Sequence, residues 1–196
     1  MACVRPTPGR EMNPLWRLVF TGAECSGKTT AVERWARHTA CPSVVEYACT
    51  YWASAPEKYT AEDVFLIGKG QSDLEKEAAQ HAAQLHAPVL WIDTDHLTID
   101  VWLQRKFGMS YRNESTPPSP RVYVLMPPLP TWIPHPLREA PDLVERIAIY
   151  EDHKKRVVAS GAPFVVYQND AHLLRALVQM GVPLPCTGVP ERNSNG

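Results

Sequence analysis

Gly22-Ala23-Glu24-Cys25-Ser26-Gly27-Lys28-Thr29 satisfies the spacing G-x-x-x-x-G-K-[ST] at every fixed position. Upstream, Trp16 to Phe20 is a short apolar run of strand-forming residues, and downstream Ala31, Val32, Trp35 and Ala36 recur at helical spacing through Thr39. The order is strand, glycine-bearing loop, helix, which is the setting in which this spacing cradles a polyphosphate. Two glycines let consecutive backbone N–H groups turn inward on an anion, and the positive end of the following helix adds to the attraction. Lys28 is then expected on the β and γ phosphates and the Thr29 hydroxyl on Mg²⁺, with the backbone from Gly22 through Thr30 lining the nucleotide.

Working outward, short apolar runs alternate with helical patterns. Leu15–Thr21, Ser43–Tyr47, Pro88–Asp93, Arg121–Met126 and Ala162–Gln168 read as strands. Thr30–Thr39, Ala61–His86, Asp95–Phe107, Pro141–Ala159 and Ala171–Met180 read as helices, the second with breaks near Gly68 and Gly70. Such alternation predicts an α/β fold with a parallel five-stranded sheet covered by helices. A chain of 196 residues suits one such domain, expected over 14–182, with a loose leader over 1–13 and a polar tail over 183–196. Nine of the 19 prolines fall between Pro117 and Pro141, so 117–141 is expected to be an irregular excursion at the sheet's C-terminal edge, where a lid would lie.

The bulk chemistry narrows the classes of function. Twenty basic and 21 acidic residues leave a formal charge of −1, which gives no general attraction to nucleic acid or to an anionic membrane. No apolar run reaches the ~18 residues of a membrane span, and the first residues lack a signal-peptide core, so a cytoplasmic protein is expected. Five cysteines, Cys3, Cys25, Cys41, Cys49 and Cys186, include no C-x-x-C pair and read as reduced thiols. The seven histidines show no metal-binding spacing.

Acidic residues at strand ends complete the candidate chemistry. Pro88-Val89-Leu90-Trp91-Ile92-Asp93-Thr94-Asp95 is a buried-type strand ending in carboxylates. Asp93 is expected to hold Mg²⁺ opposite Thr29, whereas Asp95 reads equally as an acceptor-side carboxylate and as a helix N-cap. Glu46, in Val44-Val45-Glu46-Tyr47, is placed to take the proton of an acceptor hydroxyl or to hold acceptor hydroxyls, with a structural salt bridge as the other reading. Tyr47, Tyr51 and Trp52 follow in an expected loop, able to stack on a heteroaromatic ring or to pack in the core. Within Trp132-Ile133-Pro134-His135-Pro136-Leu137-Arg138-Glu139, Arg138 is the arginine best placed to stabilise a transferring phosphoryl group. Base preference is assigned to the neighbourhood of Asn169 and Asp170.

Taken in this order from Leu15 to Leu177, these residues resemble the kinase domain of NadR-type ribosylnicotinamide kinases and related small AAA-type ATPase domains. Glu46-Tyr47-Ala48, the Asp93-Thr94-Asp95 strand end followed by Thr98 and Trp102, and a segment similar to W-x-x-D-G-L-R-E carry the likeness. The resemblance implies a three-layer P-loop fold with strand order 2-3-1-4-5, and transfer of the ATP γ-phosphoryl, with Mg²⁺, to the ribose 5′-hydroxyl of nicotinamide riboside. Lys28 and Thr29 would hold ATP and Mg²⁺, Glu46 and Asp93 or Asp95 would serve acceptor and metal, and Arg138 would close from the lid. Two departures lie on the acceptor side: Cys49-Thr50 replaces the family's Arg-Glu, and His135-Pro136 replaces its Asp-Gly. They leave another nucleoside as a second acceptor, and a nucleotide-dependent regulator without small-molecule kinase activity as the competing class. With no room for the DNA-binding and adenylyltransferase domains of multifunctional relatives, a stand-alone kinase domain is expected.

Overall fold

Alternating apolar runs and amphipathic segments resolve, in a computed structural model, into five strands and six helices among the described residues, which are 14–53, 59–111, 119–135, 138–186 and 188–191. The expected leader over 1–13, Pro117, Pro118, Pro136 and the last five residues of the tail lie outside them. In chain order the elements are β1 (Trp16–Thr21), α1 (Lys28–Thr39), β2 (Ser43–Val44), α2 (Tyr47–Trp52), α3 (Ala61–Gln84) and β3 (Val89–Asp93). There follow α4 (His96–Phe107), β4 (Arg121–Leu125), α5 (Leu143–Ser160), β5 (Phe164–Val166) and α6 (Asp170–Gln179). The strands form one parallel sheet in the order β2-β3-β1-β4-β5, as the resemblance implied.

The two faces of the sheet are chemically different. Leu18, Phe20, Val89, Trp91, Val122 and Val124 point to one side, where Ala31, Val32 and Trp35 of α1 and Leu173 and Leu177 of α6 close a mainly apolar core, with Thr39 and Asp170 taking the two indole N–H groups. Trp35 stacks on Trp91 at 5.3 Å between centroids, and each such fully buried ring contributes about 2–3 kcal/mol. The opposite face presents Val19, Leu90, Ile92 and Tyr123 to α4 and α5, but it also buries Arg17 and Arg121. Glu75 of α3 pairs with Arg17 at 2.8 Å and with Arg121 at 2.6 Å, and Asp95 takes the other arm of Arg121 at 2.5 Å. A buried guanidinium without such partners would be strongly destabilising, so this four-charge chain ties β1, β4, α3 and α4 together as one unit.

Three expectations are corrected. Strand β2 ends at Val44 rather than Tyr47, and the aromatic stretch after Glu46 is the helix α2 rather than a loop. Helix α3 runs unbroken through Gly68 and Gly70. A Cβ at Gly68 would meet the Tyr111 ring and one at Gly70 the Tyr47 ring, so these glycines admit aromatic neighbours rather than ending the helix. Nor is 117–141 uniformly irregular: its described prolines bracket the central strand β4 instead of interrupting it. The first described part of the tail is packed, with Leu184 against the apolar core and the Gly188 carbonyl accepting from His38 at 3.0 Å. No helix among the described residues is long and apolar enough to cross a membrane.

Candidate functional site

The candidate site gathers at the C-terminal ends of β1 and β3. Gly22 opens the loop at φ 141°, a conformation that side chains rarely adopt, and a Cβ there would collide with the Met126 carbonyl. Gly27 closes it at φ 82° as the N-cap of α1. Lys28 folds back over the loop and donates to the Gly22 and Ala23 carbonyls at 3.0 and 2.9 Å, so its ammonium already stands across the cradle. Beneath the loop, the Thr21 hydroxyl lies 2.8 Å from Nδ1 of the buried His153 and 3.3 Å from Thr98. Burial first, then the charge of Lys28, holds that imidazole well below its usual pKa and therefore neutral.

Thr29 donates to Asp93 Oδ2 at 2.6 Å, while Asp93 Oδ1 is buried with no hydrogen-bond partner among the described residues. Burial raises the Asp93 pKa, and the charge of Lys28 and the Thr29 bond oppose that rise. A buried carboxylate oxygen without a donor, beside a hydroxyl, fits the protein's share of a Mg²⁺ site, because this ion usually takes one or two protein oxygens and completes its shell with water and phosphate. Among the described residues no cluster of three or more His, Cys, Asp or Glu could hold a metal alone.

The two acids that sit two residues apart at the end of β3 go to different places. Strand geometry ends at Asp93, and Thr94 takes a left-handed φ of 64°, which breaks the alternation and turns Asp95 under the sheet's other face. There Asp95, only 1% exposed, caps α4 through Leu97 N at 3.0 Å and accepts from Arg121 and from the Tyr123 hydroxyl at 2.9 Å. The N-cap reading describes this geometry, and both Asp95 oxygens are engaged by the fold.

Glu46 occupies the N-cap position of α2, but its side chain makes no capping bond. It is densely enclosed while keeping some surface to solvent. Burial and the neighbouring Asp93 push its pKa up to about 7, and Lys28 and Arg138 pull the other way. Lys28, Asp93, Glu46 and Arg138 therefore share one electrostatic neighbourhood. Cys49, one of the departures from the family pattern, lies in it too: the charges of Glu46 and Asp93 add to burial in raising its thiol pKa. Tyr47, Tyr51, Trp52 and Tyr59 pack on one another at 4.9–6.4 Å, and Tyr51 donates to Asp63 at 2.6 Å.

Two positioning groups escaped the sequence reading. Gln71 of α3, 2% exposed, accepts from Tyr47 N at 2.7 Å and donates toward the carbonyls of Val45, Asp93 and Thr94 at 3.3, 3.5 and 3.2 Å. One amide thus fixes both backbone flanks of Glu46 to the end of β3. A polar residue on the buried stripe of Val64, Ile67 and Gly68 was the signal for it. Arg146 of α5, 1% exposed, donates to the Leu129 and Pro130 carbonyls at 2.6 and 3.4 Å and lies over the Trp132 ring at 5.5 Å. It holds the chain after β4 against the body of the domain. In the region assigned to base preference, Asn169 caps α6, and Asp170 accepts from Arg34 and Trp35 at 2.8 and 2.9 Å.

A family profile described as an AAA domain matches residues 17–172. No curated protein matches the sequence. Among solved structures, the chain is similar to NadR protein in complex with NR, with TM-score 0.63 and 20% identity over 91% of this chain and 53% of that one. It is also similar to NadR protein in complex with NAD and AMP-PNP, with TM-score 0.58 and 18% identity over 92% of this chain and 51% of that one. The chain spans about half the length of these neighbours, and the likeness establishes the shared fold. With a P-loop in place and the profile covering most of its length, the chain belongs to the AAA-domain family as a P-loop nucleotide-binding domain.

Proposed function

We propose that this protein is an ATP-dependent kinase that transfers the γ-phosphoryl group to a hydroxyl of a small acceptor, nicotinamide riboside first and another nucleoside second. The observation that carries the reading is Glu46 at the head of α2, a carboxyl whose pKa burial and Asp93 push up to about 7 while the charges of Lys28 and Arg138 act on it. A module that only binds nucleotide needs no such base, whereas a hydrolytic switch would turn it on water, so the dependence of ADP release on an acceptor separates the two. A base in this range is half ionised near neutrality and can take a proton without holding it too tightly.

In this mechanism the loop amides and Lys28 grip the ATP phosphates. Thr29 and Asp93 would hold Mg²⁺, which supplies neutralisation of phosphate charge when bound. Glu46 accepts the proton of the acceptor hydroxyl while the acceptor's oxygen bonds to the γ-phosphorus and the bond from that phosphorus to the β,γ-bridging oxygen breaks, releasing ADP. Arg138 offsets charge on the transferring group from the post-β4 side. The NadR neighbour bound to NR makes nicotinamide riboside the first acceptor to try. A second reading, a nucleotide-dependent regulator, is favoured by Cys49, an exposed residue within the field of Glu46 and Asp93 that stands where the resembled pattern has arginine.

ADP release with Mg²⁺-ATP, measured without acceptor, with nicotinamide riboside and with a nucleoside panel, separates these readings. The kinase reading expects stimulation by one acceptor that Lys28→Ala abolishes. ATP binding with no stimulation by any acceptor would replace it with the regulator.

A further inference from the structure

The third residue of the loop pattern is an acid, which is electrostatically adverse beside a polyphosphate site. The structure gives its charge another partner. Glu24 accepts from Glu139 N at 3.1 and 3.0 Å through its two oxygens, and from Ala140 N at 3.1 Å. A carboxylate that takes two successive backbone N–H groups makes strong, charge-assisted bonds and fixes the chain's direction as well as its distance. The residue immediately before that pair is Arg138.

The rest of the post-β4 chain is fastened to the same loop. Leu129 N donates to the Cys25 carbonyl at 3.0 Å, and the Cys25 thiol reaches the Ile133 carbonyl at 3.7 Å. Arg138 turns back on this segment, with its N–H on the His135 carbonyl at 2.9 Å and its guanidinium on the Ile133 carbonyl at 2.6 Å. On the far side, the Glu139 carboxylate takes Lys106 of α4 and the Tyr59 hydroxyl, and Ala140 is buried. The 138–140 segment is therefore held between the phosphate loop on one side and α4 with Tyr59 on the other.

We propose that Glu24 is a positioning residue: its carboxylate latches the Glu139 and Ala140 amides onto the phosphate loop and so sets Arg138 over the bound phosphates. The inference rests on the phosphate-ligand role given to Arg138 above. Movement of the loop around a nucleotide is transmitted through Glu24 to the arginine, so loop and lid respond as one body. Without the latch, a negative charge next to the cradle would weaken anion binding, and its removal would strengthen it.

The opposite signs make a test. Mg²⁺-ATP affinity is measured by calorimetry for wild type, Glu24→Ala, Arg138→Ala and the double variant, with Glu24→Gln keeping one acceptor oxygen. Amide hydrogen exchange at Glu139 and Ala140 is followed in parallel. The expected result is about a tenfold loss for Arg138→Ala, a similar loss for Glu24→Ala, and a double variant no weaker than Arg138→Ala alone, with Glu24→Gln intermediate. Exchange at the two amides should quicken in Glu24→Ala and little in Arg138→Ala. Tighter or unchanged Mg²⁺-ATP binding by Glu24→Ala overturns the proposal, as do fully additive losses or unchanged exchange. An Arg138→Ala variant with wild-type affinity overturns the route through Arg138, even if the amides exchange faster. No acceptor enters this cycle, so failure of the kinase reading, seen only in acceptor-stimulated ADP release, is distinguished from failure of the latch.

Discussion

The phosphate cradle and the proposed acceptor side of the domain are built in opposite ways. The cradle is local: eight consecutive residues supply the glycines, the backbone donors, the lysine and the hydroxyl, and they carry their chemistry wherever a strand feeds them into a helix. The proposed acceptor side is assembled from distant points, with Glu46 at the head of α2, Gln71 in the middle of α3 and Arg138 beyond β4. The first keeps its chemistry within that run, although Glu24 and Cys25 also tie it to the chain after β4. The second depends on backbone ties, and it is also where this sequence departs from its family's pattern.

The comparison breaks first at the strand end shared by both. Asp95→Ala should cost about 3–5 kcal/mol of folding stability, because Arg121 loses a buried partner and α4 its cap, while Mg²⁺-ATP affinity at a temperature where the variant is folded stays at the wild-type value. Denaturant unfolding and calorimetry together check this, and a selective loss of acceptor turnover in a stable protein would put Asp95 back in the site. Lys28→Ala should do the reverse, lowering Mg²⁺-ATP affinity about 100-fold with little effect on unfolding, since it removes charge-assisted contacts to phosphate and only two bonds to loop carbonyls.

The legibility of the molecule follows the same division. The loop, the alternation of strands and helices and the strand end at Asp93 were readable because each is set by residues close in sequence, whereas the strand order came from the resemblance. The different fates of Asp93 and Asp95 were not, because period-two alternation puts both on one face, and only the left-handed Thr94 separates them. Helix α2 was hidden by its shortness and its aromatic content. Glycine near the middle of α3 suggested a break, since nothing local shows that Tyr47 and Tyr111 will arrive to fill the space. Gln71 and the Glu24 carboxylate act on backbone groups more than 20 and more than 110 residues away in the chain, which no spacing rule reaches.

A smaller effect sharpens the picture of the acceptor side. Gln71→Leu should cost about 2 kcal/mol of stability, by stranding the Tyr47 amide and the Val45 and Thr94 carbonyls. It should also lower kcat for the accepted substrate while leaving KM for ATP near wild type, since the cradle does not depend on it. An equal loss in both parameters would mean that the two sides are not separable in this way.

The smallest expected effect is in the pH dependence of stability. Glu46 in the folded protein titrates at about 7, above its usual value of 4.5, so between these pH values the native state keeps a proton that the unfolded chain releases. Stability contributed by that proton is present below about 4.5 and is lost as pH rises through about 7. Glu46→Gln should therefore raise the Tm more at pH 8 than at pH 5, and a uniform shift would show that the carboxyl is not perturbed.

The most direct test of the account is ³¹P NMR of Mg²⁺-ATP incubated with the protein and nicotinamide riboside, alongside Glu46→Gln. The account predicts that γ-phosphate reappears as a phosphomonoester of the acceptor, in step with ADP, at a rate that Glu46→Gln lowers strongly while still binding ATP. Inorganic phosphate alone, formed at the same rate with and without the acceptor and in both proteins, would contradict it.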